Sequence, residues 1–361
     1  MKLNEICEVY SGYALKAFND IEDGLPVVKI GNILTDGNLN LEECQFTTDS
    51  VNEKYYSNKG DIYIALSGAT TGKIGIMNTD EKYVINQRVG IVRQKTDDIP
   101  QEYIKYFLLR QTDRILQEAA GCAQPNISPK QIAEYMVPDI SKDKMQEICD
   151  VLDKIKKIID SRKAELSALD DLIKARFVEL FENIEKKVAI SSLCDVSGGY
   201  SFKSGDITAD GSVRILQIGN VYLDDVNWET TNYLPEGFDD TYSRFLLNEG
   251  DIVIALTRPI IQSLGNVKAC VVKESDTPCL LNQRVGRIVS KQNVDVSLKF
   301  IYGCLMTDDF TRYVESCCIG CSQPNISTKD IENYMVPDVN YEEQMKFVRF
   351  VEQVDKSKFV A

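Results

Sequence analysis

The sequence predicts an α+β protein in which two homologous mixed α/β domains are separated by long helices. Three observations carry this prediction. Short sequence blocks recur in the same order in the two halves of the 361-residue chain. A heptad pattern of apolar residues runs through the middle of the chain and indicates one long helix. Within each half, short β-branched runs bounded by Gly, Asn and Asp precede a segment with helical spacing.

Each half of the chain is a copy of one domain. The matched blocks are residues 6–13 with 193–200, 29–32 with 217–220, 60–66 with 250–256, 86–90 with 282–286, 121–128 with 320–327, and 135–138 with 334–337. Such ordered self-similarity is the signature of an internal repeat. Asn86 lies 20 positions after Leu66, whereas Asn282 lies 26 positions after Leu256. Because insertions are tolerated in surface loops, a variable loop is expected directly after the third block of each copy.

Each copy is expected to contain short strands followed by a helix. In the first copy, residues 27–30, 62–66 and 89–93 have the β-branched composition of strands. Residues 102–119 have apolar residues at helical spacing, and 297–314 is the corresponding segment of the second copy. The run Gln-Pro-Asn-Ile-Ser that follows predicts a turn in both copies.

One long helix is predicted over residues 141–183. Its apolar residues recur every seven positions, with a second row three residues later, which is the pattern of a coiled coil. The segment contains neither Pro nor Gly, and at 1.5 Å per residue it would be roughly 64 Å long. A core helix of one small domain is the alternative, but this length favours a spacer whose apolar stripe needs a partner. The stripe comprises Met145, Ile148, Leu152, Ile155, Ile159, Leu166, Leu169, Ile173 and Leu180.

A second, shorter helix is predicted after the second copy. It begins at Asn340, with Glu343 at the spacing of a capping box, and its own stripe residues are Phe347, Val351 and Val354. At roughly 31 Å it is about half as long as the first helix. The expected organisation is a domain over 1–140, a spacer helix over 141–186, a second domain over 187–339 and a short spacer helix over 340–361.

Composition excludes several classes of function. Histidine is absent, which removes Ser-His-Asp and Cys-His nucleophile systems and HEXXH zinc sites. The net charge of −14 argues against broad, non-specific nucleic-acid binding, so any DNA contact must come from local basic patches or from a partner. The first residues lack the apolar stretch of an export signal. The eleven cysteines are therefore expected to be reduced thiols of a cytoplasmic protein.

Three local motifs suggest other chemistry but are incomplete. Cys318 and Cys321 form a CxxC pair without a second pair or a histidine to complete a metal site. Residues 68–73 read GxxxGK, one residue short of a phosphate-binding loop. A nuclease motif assembled from Asp139 and 185–187 would place its parts at opposite ends of the long helix. No metal and no nucleotide cofactor is expected.

The chain resembles the specificity (S) subunit of type I restriction-modification systems. The resemblance covers the whole chain and rests on the run GDIYIALSGATTGK at 60–73, on NQRVG and QPNIS in both copies, and on LIKARF at 172–177 near the end of the long helix. These motifs are modest singly and specific when repeated in order. The absence of Asn-Pro-Pro-Tyr and Asp-Pro-Pro-Phe tetrapeptides agrees with a subunit that is not itself a methyltransferase.

The resemblance implies fold, function and partners together. Each copy would be a target recognition domain that reads one half of a split, asymmetric sequence in double-stranded DNA, with half-site centres about one duplex turn, roughly 34–36 Å, apart. The two helices would pair as an antiparallel coiled coil that docks methyltransferase (M) subunits, two in number, and restriction (R) subunits indirectly. The M subunits would bind S-adenosylmethionine and flip an adenine for methylation, and the S subunit would have no catalytic residues.

The short second helix departs from the family pattern. In the family the second helix is about as long as the first. Either it is shortened here, or the unpaired half of the long helix finds its partner on another chain. Self-association through that half is therefore an expectation of the sequence.

Residues identical in both copies are expected to contact the DNA framework rather than its bases. A residue that is the same in both domains cannot distinguish two different half-sites, and phosphate contacts position a protein without reading sequence. The alternative for these residues is a buried turn or an internal salt bridge. The framework candidates are Gln87, Arg88, Gln124 and Asn126 in the first copy and Gln283, Arg284, Gln323 and Asn325 in the second.

Residues of the diverged loops are the candidate base readers. Small residues in the first loop permit close approach of the backbone to a groove, and arginine in the second can bind guanine O6 and N7 together. The alternative is a solvated charge at a loop tip. The candidates are Ser67, Thr70, Thr71 and Lys73 in the first copy and Thr257, Arg258, Gln262 and Lys268 in the second.

Two rival functions remain open at this point. The acidic composition is compatible with a two-module protein-binding scaffold that has no DNA contact, and surface charge near residues 67–73 and 257–268 would discriminate it. A nuclease or methyltransferase in its own right is the other rival, which an activity assay on the purified chain would test.

Overall fold

A computed structural model of the chain describes residues 1–20, 23–120, 125–261, 265–318 and 324–360. The chain divides into two compact units, unit 1 (Met1–Asp160) and unit 2 (Ser161–Ala361). Among the described residues, no helix is both long enough and apolar enough to span a lipid bilayer.

Unit 1 contains two small sheets covered by short helices. In its described part the four-stranded sheet is antiparallel with the order β1-β7-β4-β5, and the three-stranded sheet has the order β3-β2-β6 with β2 and β6 parallel. The strands are β1 (Cys7–Ser11), β2 (Leu25–Val28), β3 (Gln45–Thr47), β4 (Ile62–Ala65), β5 (Ile74–Ile76), β6 (Val84–Ile85) and β7 (Val89–Gln94). The helices are α1 (Leu3–Ile6), α2 (Gln101–Leu109), α3 (Thr112–Ala119), α4 (Pro129–Ala133) and the first half of α5 (Lys142–Phe181).

Unit 2 repeats this topology. Over its described residues the main sheet has the order β9-β17-β12-β15 and the smaller sheet the order β11-β10-β16, with β10 and β16 parallel. The strands are β8 (Lys187–Ala189), β9 (Cys194–Gly198), β10 (Val213–Leu216), β11 (Asn232–Leu234), β12 (Ile252–Ala255), β13 (Ile260–Ile261), β14 (Asn266–Val267), β15 (Ala269–Val271), β16 (Cys279–Leu281), β17 (Val285–Ser290) and β18 (Met335–Pro337). The helices are α6 (Ile190–Leu193), α7 (Phe238–Thr241), α8 (Leu298–Leu305), α9 (Asp308–Cys317), α10 (Thr328–Asn333) and α11 (Tyr341–Val360).

The central strand of each main sheet is buried on both faces. In β4, Ile62 and Ile64 belong to the core formed with α2 and α3, whereas Tyr63 and Ala65 belong to the core shared with the smaller sheet. Alternate residues of a strand point to opposite faces. A strand covered on both sides therefore reads as a continuous apolar run rather than as an alternation, which is why the block 60–66 and its twin are so recognisable in sequence.

The diverged loop of the second copy forms an additional hairpin. β13 and β14 pair antiparallel, with Ile260 opposite Val267, between β12 and β15. The sequence predicted that the second copy has an insertion directly after residues 250–256, the block that contains β12, and the hairpin lies at that position.

Two predicted helices are each split into two. The segment predicted as one helix over 102–119 is α2 and α3, and 297–314 is α8 and α9. In unit 2 the break occurs at Thr307, whose hydroxyl accepts a hydrogen bond from the Phe310 N–H at 3.2 Å and donates one to the Cys304 carbonyl at 2.8 Å. A threonine that caps a new helix satisfies backbone groups that a continuous helix would otherwise satisfy.

The prediction of a long helix and an antiparallel partner is confirmed. α5 spans 40 residues, and within unit 2 its C-terminal part packs against α11. Phe177 lies edge-to-face against Phe347 with ring centroids 5.2 Å apart, whereas Lys358 reaches back to Asp170 at 2.5 Å. The residue later in α11, Lys358, contacts the residue earlier in α5, Asp170, so the two helices run antiparallel.

The apolar stripe divides into buried and exposed parts. Met145 and Ile148 pack into the core of unit 1 together with Cys149. Ile173, Leu180, Phe347 and Val351 pack in the core of unit 2, around Phe177 and Phe181, and Val354 is also buried. Leu152 and Leu169 are half-buried. Ile155, Ile159 and Leu166 are exposed, as are Val151 and Ile158.

Ser327, which follows the second Pro-Asn block, is the N-cap residue of α10 and offers a test of local stability. Ser327 accepts a hydrogen bond from the Asp330 N–H at 3.1 Å, and Asp330 accepts one in return from the Ser327 N–H at 2.8 Å. We expect Ser327→Ala to lower the free energy of unfolding by about 1 kcal/mol, because one N-terminal amide of α10 loses its partner. A denaturant midpoint measures this change, with Ser290→Ala, an exposed serine outside any cap, as the control. A loss no larger than that of the control would contradict the capping role.

Candidate nucleic-acid interface

Three separate sequence blocks meet at one end of the main sheet in unit 1. The Leu66 N–H donates to the Arg88 carbonyl at 2.9 Å, and the Ile127 N–H donates to the Leu66 carbonyl at 2.9 Å. The Gly68 N–H donates to the Pro125 carbonyl at 3.1 Å. The diverged loop after β4 is therefore fixed between the Asn-Gln-Arg turn and the Pro-Asn-Ile-Ser segment, so candidate framework residues and candidate base readers form one surface.

The same three blocks meet in unit 2. The Leu256 N–H donates to the Arg284 carbonyl at 2.8 Å, the Ile326 N–H to the Leu256 carbonyl at 2.9 Å, and the Arg258 N–H to the Pro324 carbonyl at 2.8 Å. These bonds correspond one by one to those of unit 1. The repeated motifs thus encode the backbone geometry of this loop junction.

A fourth block completes the junction. The Gln87 N–H donates to the Tyr13 carbonyl at 2.8 Å, and the Gln283 N–H donates to the Tyr200 carbonyl at 2.8 Å. The glycine before each tyrosine is required by space, because a Cβ at Gly12 would lie 2.3 Å from the Ile85 carbonyl oxygen. The repeated Gly-Tyr is therefore part of this surface, although its place there was not anticipated from the sequence.

The framework candidates that the structure describes are exposed. Gln87, Arg88 and Asn126 in unit 1, and Gln283, Arg284 and Asn325 in unit 2, all present their side chains to solvent. Gln124 and Gln323 lie outside the described residues. The salt bridges found among the described residues use other cations, such as Lys59, Arg114 and Arg312.

The candidate base readers of unit 1 occupy different environments. Ser67, Thr70 and Lys73 are half-buried, and within the described chain the Thr70 hydroxyl has no hydrogen-bond partner. Thr71 is buried, and its hydroxyl donates to the Gly68 carbonyl at 2.7 Å. Because that bond closes the loop on itself, Thr71 shapes the loop from within.

In unit 2 the candidate readers lie around a left-handed residue. Thr257 and Lys268 are half-buried, Arg258 is exposed, and Gln262 is outside the described residues. Arg258 has φ +47°, and Gly68, its counterpart in unit 1, has φ +84°. The left-handed conformation costs little for glycine but disfavours residues with a Cβ. The second copy thus holds an arginine where the backbone favours glycine.

An ion pair that could not be anticipated from the sequence lies at the start of β4. Arg93 binds Asp61 through two bonds, Nε to Oδ1 at 2.8 Å and Nη2 to Oδ2 at 2.6 Å, and also donates to the carbonyls of Lys54 and Tyr56. The hydrogen bonds that Arg93 donates to Asp61 raise the pKa of Arg93, so the guanidinium remains charged. The block Gly-Asp in both copies was the available signal, but its partner could not be read from spacing.

In the second copy the arginine with the same role lies two positions earlier in its strand. Arg287 donates to the carbonyls of Leu246 and Arg244, which correspond to Tyr56 and Lys54, yet it is aligned with Ile91 rather than with Arg93. Its Nη1 lies 3.9 Å from Asp251 Oδ2, and its buried Nε has no partner within the described chain. Burial, only partly offset by Asn248 and Arg287, raises the pKa of Asp251.

Several buried cysteines lie outside this surface. Burial raises the pKa of the thiols of Cys7, Cys194 and Cys279 to about 12, so these groups are protonated at neutral pH. Among the described residues, no group of three or more His, Cys, Asp or Glu side chains is placed to hold a metal ion. Cys321 of the CxxC pair lies outside the described residues.

Comparison with known proteins gives consistent matches. The chain is 26% identical over 322 residues to the type I restriction enzyme MjaVIII specificity subunit of Methanocaldococcus jannaschii, a match that covers 84% of this chain and 74% of that protein. It is 30% identical over 177 residues to the EcoAI specificity subunit of Escherichia coli, which covers 47% of this chain and 29% of that protein.

Two solved structures share the fold. The S subunit of a type I restriction-modification system from M. genitalium superposes with a TM-score of 0.52 at 16% identity, over 99% of this chain and 89% of that one. A chain from a structure of type I restriction-modification complex assembly gives a TM-score of 0.51 at 13% identity, over 100% of this chain and 90% of that one. At these identities the likeness concerns the fold alone.

The family model described as the type I restriction modification DNA specificity domain matches residues 1–170 and 183–359. Both copies of the repeat are therefore covered, each with its loop junction and the start of its helix. The chain belongs to the type I restriction-modification DNA specificity family and carries two of its domains.

Proposed function

We propose that this chain is the sequence-specific DNA-recognition subunit of a type I restriction-modification complex and has no catalytic activity of its own. Its two units would read the two halves of a bipartite, asymmetric target. The observation that carries the proposal is the duplicated loop junction, in which a shared framework holds a diverged loop by the same hydrogen bonds in both units. A scaffold without DNA contact finds no support in the family to which the chain belongs.

The junction supports a division of labour among its residues. The exposed Arg88 and Arg284, with their neighbouring glutamines and with Asn126 and Asn325, would contact the phosphate backbone of either half-site. Ser67, Lys73, Thr257, Arg258 and Lys268 would face the base edges, because they lie on the part of the surface that differs between the units. The hydroxyl of Thr70 is buried, so Thr70 would shape the loop rather than contact a base. Thr71 would act by fixing the loop. Phosphate contacts set register and base contacts specify, which matches shared and diverged positions respectively.

The methyltransferase and restriction subunits would carry the catalytic activities of the complex. The exposed apolar residues of α5, including Ile155, Ile159 and Leu166, would dock two methyltransferase subunits or a second copy of this chain, and restriction subunits would join through the methyltransferases. S-adenosylmethionine would be bound by the methyltransferase. Because the net charge is −14, the isolated chain should bind DNA weakly, and the complex tightly.

Sequencing that detects methylated bases tests the proposed function. Cells that carry the genes for this chain and its methyltransferase should show one split, asymmetric methylated motif, which disappears when this chain alone is deleted. Deletion that leaves the motif unchanged would overturn the proposal. Nanomolar DNA binding by the isolated chain that is insensitive to salt would contradict its electrostatic part.

Removing the framework arginines should weaken binding without changing specificity. For Arg88→Ala and Arg284→Ala in the complex, we expect lower affinity for cognate and unrelated duplexes alike, with the slope of log affinity against log salt reduced by about 1 for each variant. Fluorescence anisotropy over a salt series measures this. Lys329→Ala, an exposed cation outside the junction, is the control, and a loss confined to the cognate duplex would instead indicate base reading.

A further inference from the structure

An aromatic pair of the same geometry lies beside the loop junction in each unit. The rings of Tyr13 and Tyr55 have centroids 5.3 Å apart and are inclined by 55°. The rings of Tyr200 and Phe245 have centroids 5.3 Å apart and are inclined by 51°. Tyr13 and Tyr200 correspond in the repeat, as do Tyr55 and Phe245, so the arrangement has been retained although the second ring differs.

A cation accompanies each pair. Lys54 precedes Tyr55, and its Nζ lies 4.8 Å from the centre of that ring. Arg244 precedes Phe245 at the corresponding position, and both cations are exposed. The carbonyls of Lys54 and Arg244 each accept a hydrogen bond from the buried arginine of their unit. In each unit, the largely buried guanidinium of Arg93 or Arg287 thus fixes the backbone of the segment that carries the exposed cation.

The pair is continuous with the framework surface. The carbonyls of Tyr13 and Tyr200 accept hydrogen bonds from the N–H groups of Gln87 and Gln283, so the main chain of each tyrosine is joined directly to the exposed Gln-Arg turn of its unit. Tyr200 remains 38% exposed despite its ring contacts, and Tyr13 is half-buried. A ring that served only the core would need neither this exposure nor an adjacent cation that is positive in both copies.

We propose that Tyr13 with Lys54, and Tyr200 with Arg244, form a sequence-independent DNA contact in each unit. The tyrosine ring packs against a deoxyribose of the DNA backbone at the edge of the half-site, and the cation binds the adjoining phosphate. The chemistry suits any sequence, because every nucleotide of a duplex has the same phosphate and the same sugar. This proposal rests on the proposed function and extends its framework surface to residues outside the repeated Gln-Arg and Pro-Asn motifs.

Alanine variants of the two tyrosines test the proposal in the full chain assembled with its methyltransferase. We expect Tyr13→Ala and Tyr200→Ala each to lower affinity by about tenfold, equally for cognate and unrelated duplexes, because each variant loses the apolar surface that the ring buries on the sugar. Tyr13→Phe and Tyr200→Phe should retain affinity, because the ring face remains. Tyr222→Ala, which removes an exposed tyrosine that makes none of the hydrogen bonds of the junction, should have no effect.

Several outcomes separate this proposal from its alternatives. Alanine variants that bind as tightly as wild type would overturn it, and so would a loss limited to the cognate duplex or a phenylalanine variant as weak as alanine. If an alanine variant unfolds, Lys54→Gln and Arg244→Gln, at exposed positions, take its place and should weaken binding of both duplexes. If the wild-type complex binds cognate and unrelated duplexes equally well, the proposed function itself is contradicted, independently of the results for the tyrosine variants.

Discussion

Replacing Arg258 with glycine is expected to relax recognition of one half-site without destabilising the fold. Arg258 is exposed, lies at the diverged loop of unit 2 and has a left-handed backbone with φ +47°. A bidentate arginine contact to guanine contributes about 1–3 kcal/mol of discrimination. Loss of that contact should make the complex roughly tenfold to a hundredfold less selective at one base pair.

The stability side of this prediction follows from two opposing terms. Holding a residue with a Cβ in the left-handed region costs roughly 1–2 kcal/mol, and glycine removes this strain. Glycine also gives the unfolded chain more freedom, which costs roughly 0.5–1 kcal/mol. The Arg258→Gly chain should therefore be as stable as wild type or slightly more stable, because the backbone bond to Pro324 does not depend on the side chain.

Methylated-base sequencing with Arg258→Gly, together with its thermal midpoint, measures both effects. The motif should become degenerate in one half only. Arg258→Lys keeps the charge and the strain but not the planar fork, so it should lose selectivity while retaining affinity. Gly68→Arg is the reciprocal variant and should alter the other half. A Cβ there meets only Ile30 Cδ1 at 3.7 Å, but the left-handed backbone of Gly68, with φ +84°, should make the variant roughly 1–2 kcal/mol less stable. An unchanged motif in Arg258→Gly would remove Arg258 from the set of base readers.

The two Gly-Asp blocks are expected to respond differently to the same substitution. Asp61→Asn should lower the free energy of unfolding by roughly 3–5 kcal/mol, because it leaves the largely buried Arg93 without its ionic partner. Because Arg93 would keep its hydrogen bonds to the carbonyls of Lys54 and Tyr56, we expect a loss of stability at the lower end of that range. Asp251→Asn should cost little, because the pair with Arg287 is already open at 3.9 Å.

The pH dependence of stability gives the sign of the Asp251 contribution. Burial raises its folded pKa above the ordinary value of 3.8, so the folded chain binds this proton more tightly than the unfolded chain. The corresponding stability is present below pH 3.8 and is lost as pH rises through the raised folded pKa. Asp251→Asn removes this loss, because asparagine stays neutral and can still accept the Asn248 N–H.

Unfolding of the two asparagine variants, measured by calorimetry between acid and neutral pH, tests these expectations. At neutral pH Asp61→Asn should be clearly less stable than wild type, and Asp251→Asn as stable or more stable. Toward acid pH the advantage of Asp251→Asn should shrink. Equal destabilisation by the two substitutions would contradict the difference between the closed and the open ion pair.

Much of the fold follows from the sequence through periodicity and duplication. The heptad stripe predicted α5, because apolar residues every seven positions form a single face only on a helix. The repeat predicted two domains of one topology, and the β-branched composition of residues 62–66 predicted a strand; that this strand is covered on both faces is a finding of the structure. The places where the two copies diverge also located the variable loop. These are properties of neighbouring residues, which a linear chain displays directly.

Other features were decided by tertiary structure alone. The meeting of Leu66, Arg88 and Pro125 at one junction joins residues far apart in the chain, and no spacing rule connects them. Neither the displacement of Arg287 along β17 nor the left-handed Arg258 is visible in composition or pattern. The predicted helix of the second copy is split where Thr307 caps α9, whereas the break in the first copy, at Gln111, has no side-chain cap.

The repeated motifs show where the boundary between sequence and structure lies. From the sequence alone, Gly12, Tyr13, Gln87 and Asn126 are conspicuous only because they recur in the second copy. The structure shows that they surround one loop. Local patterns determine which elements form, since helix and strand periodicities are short-range; the surface on which a partner binds depends on which side chains long-range packing brings together.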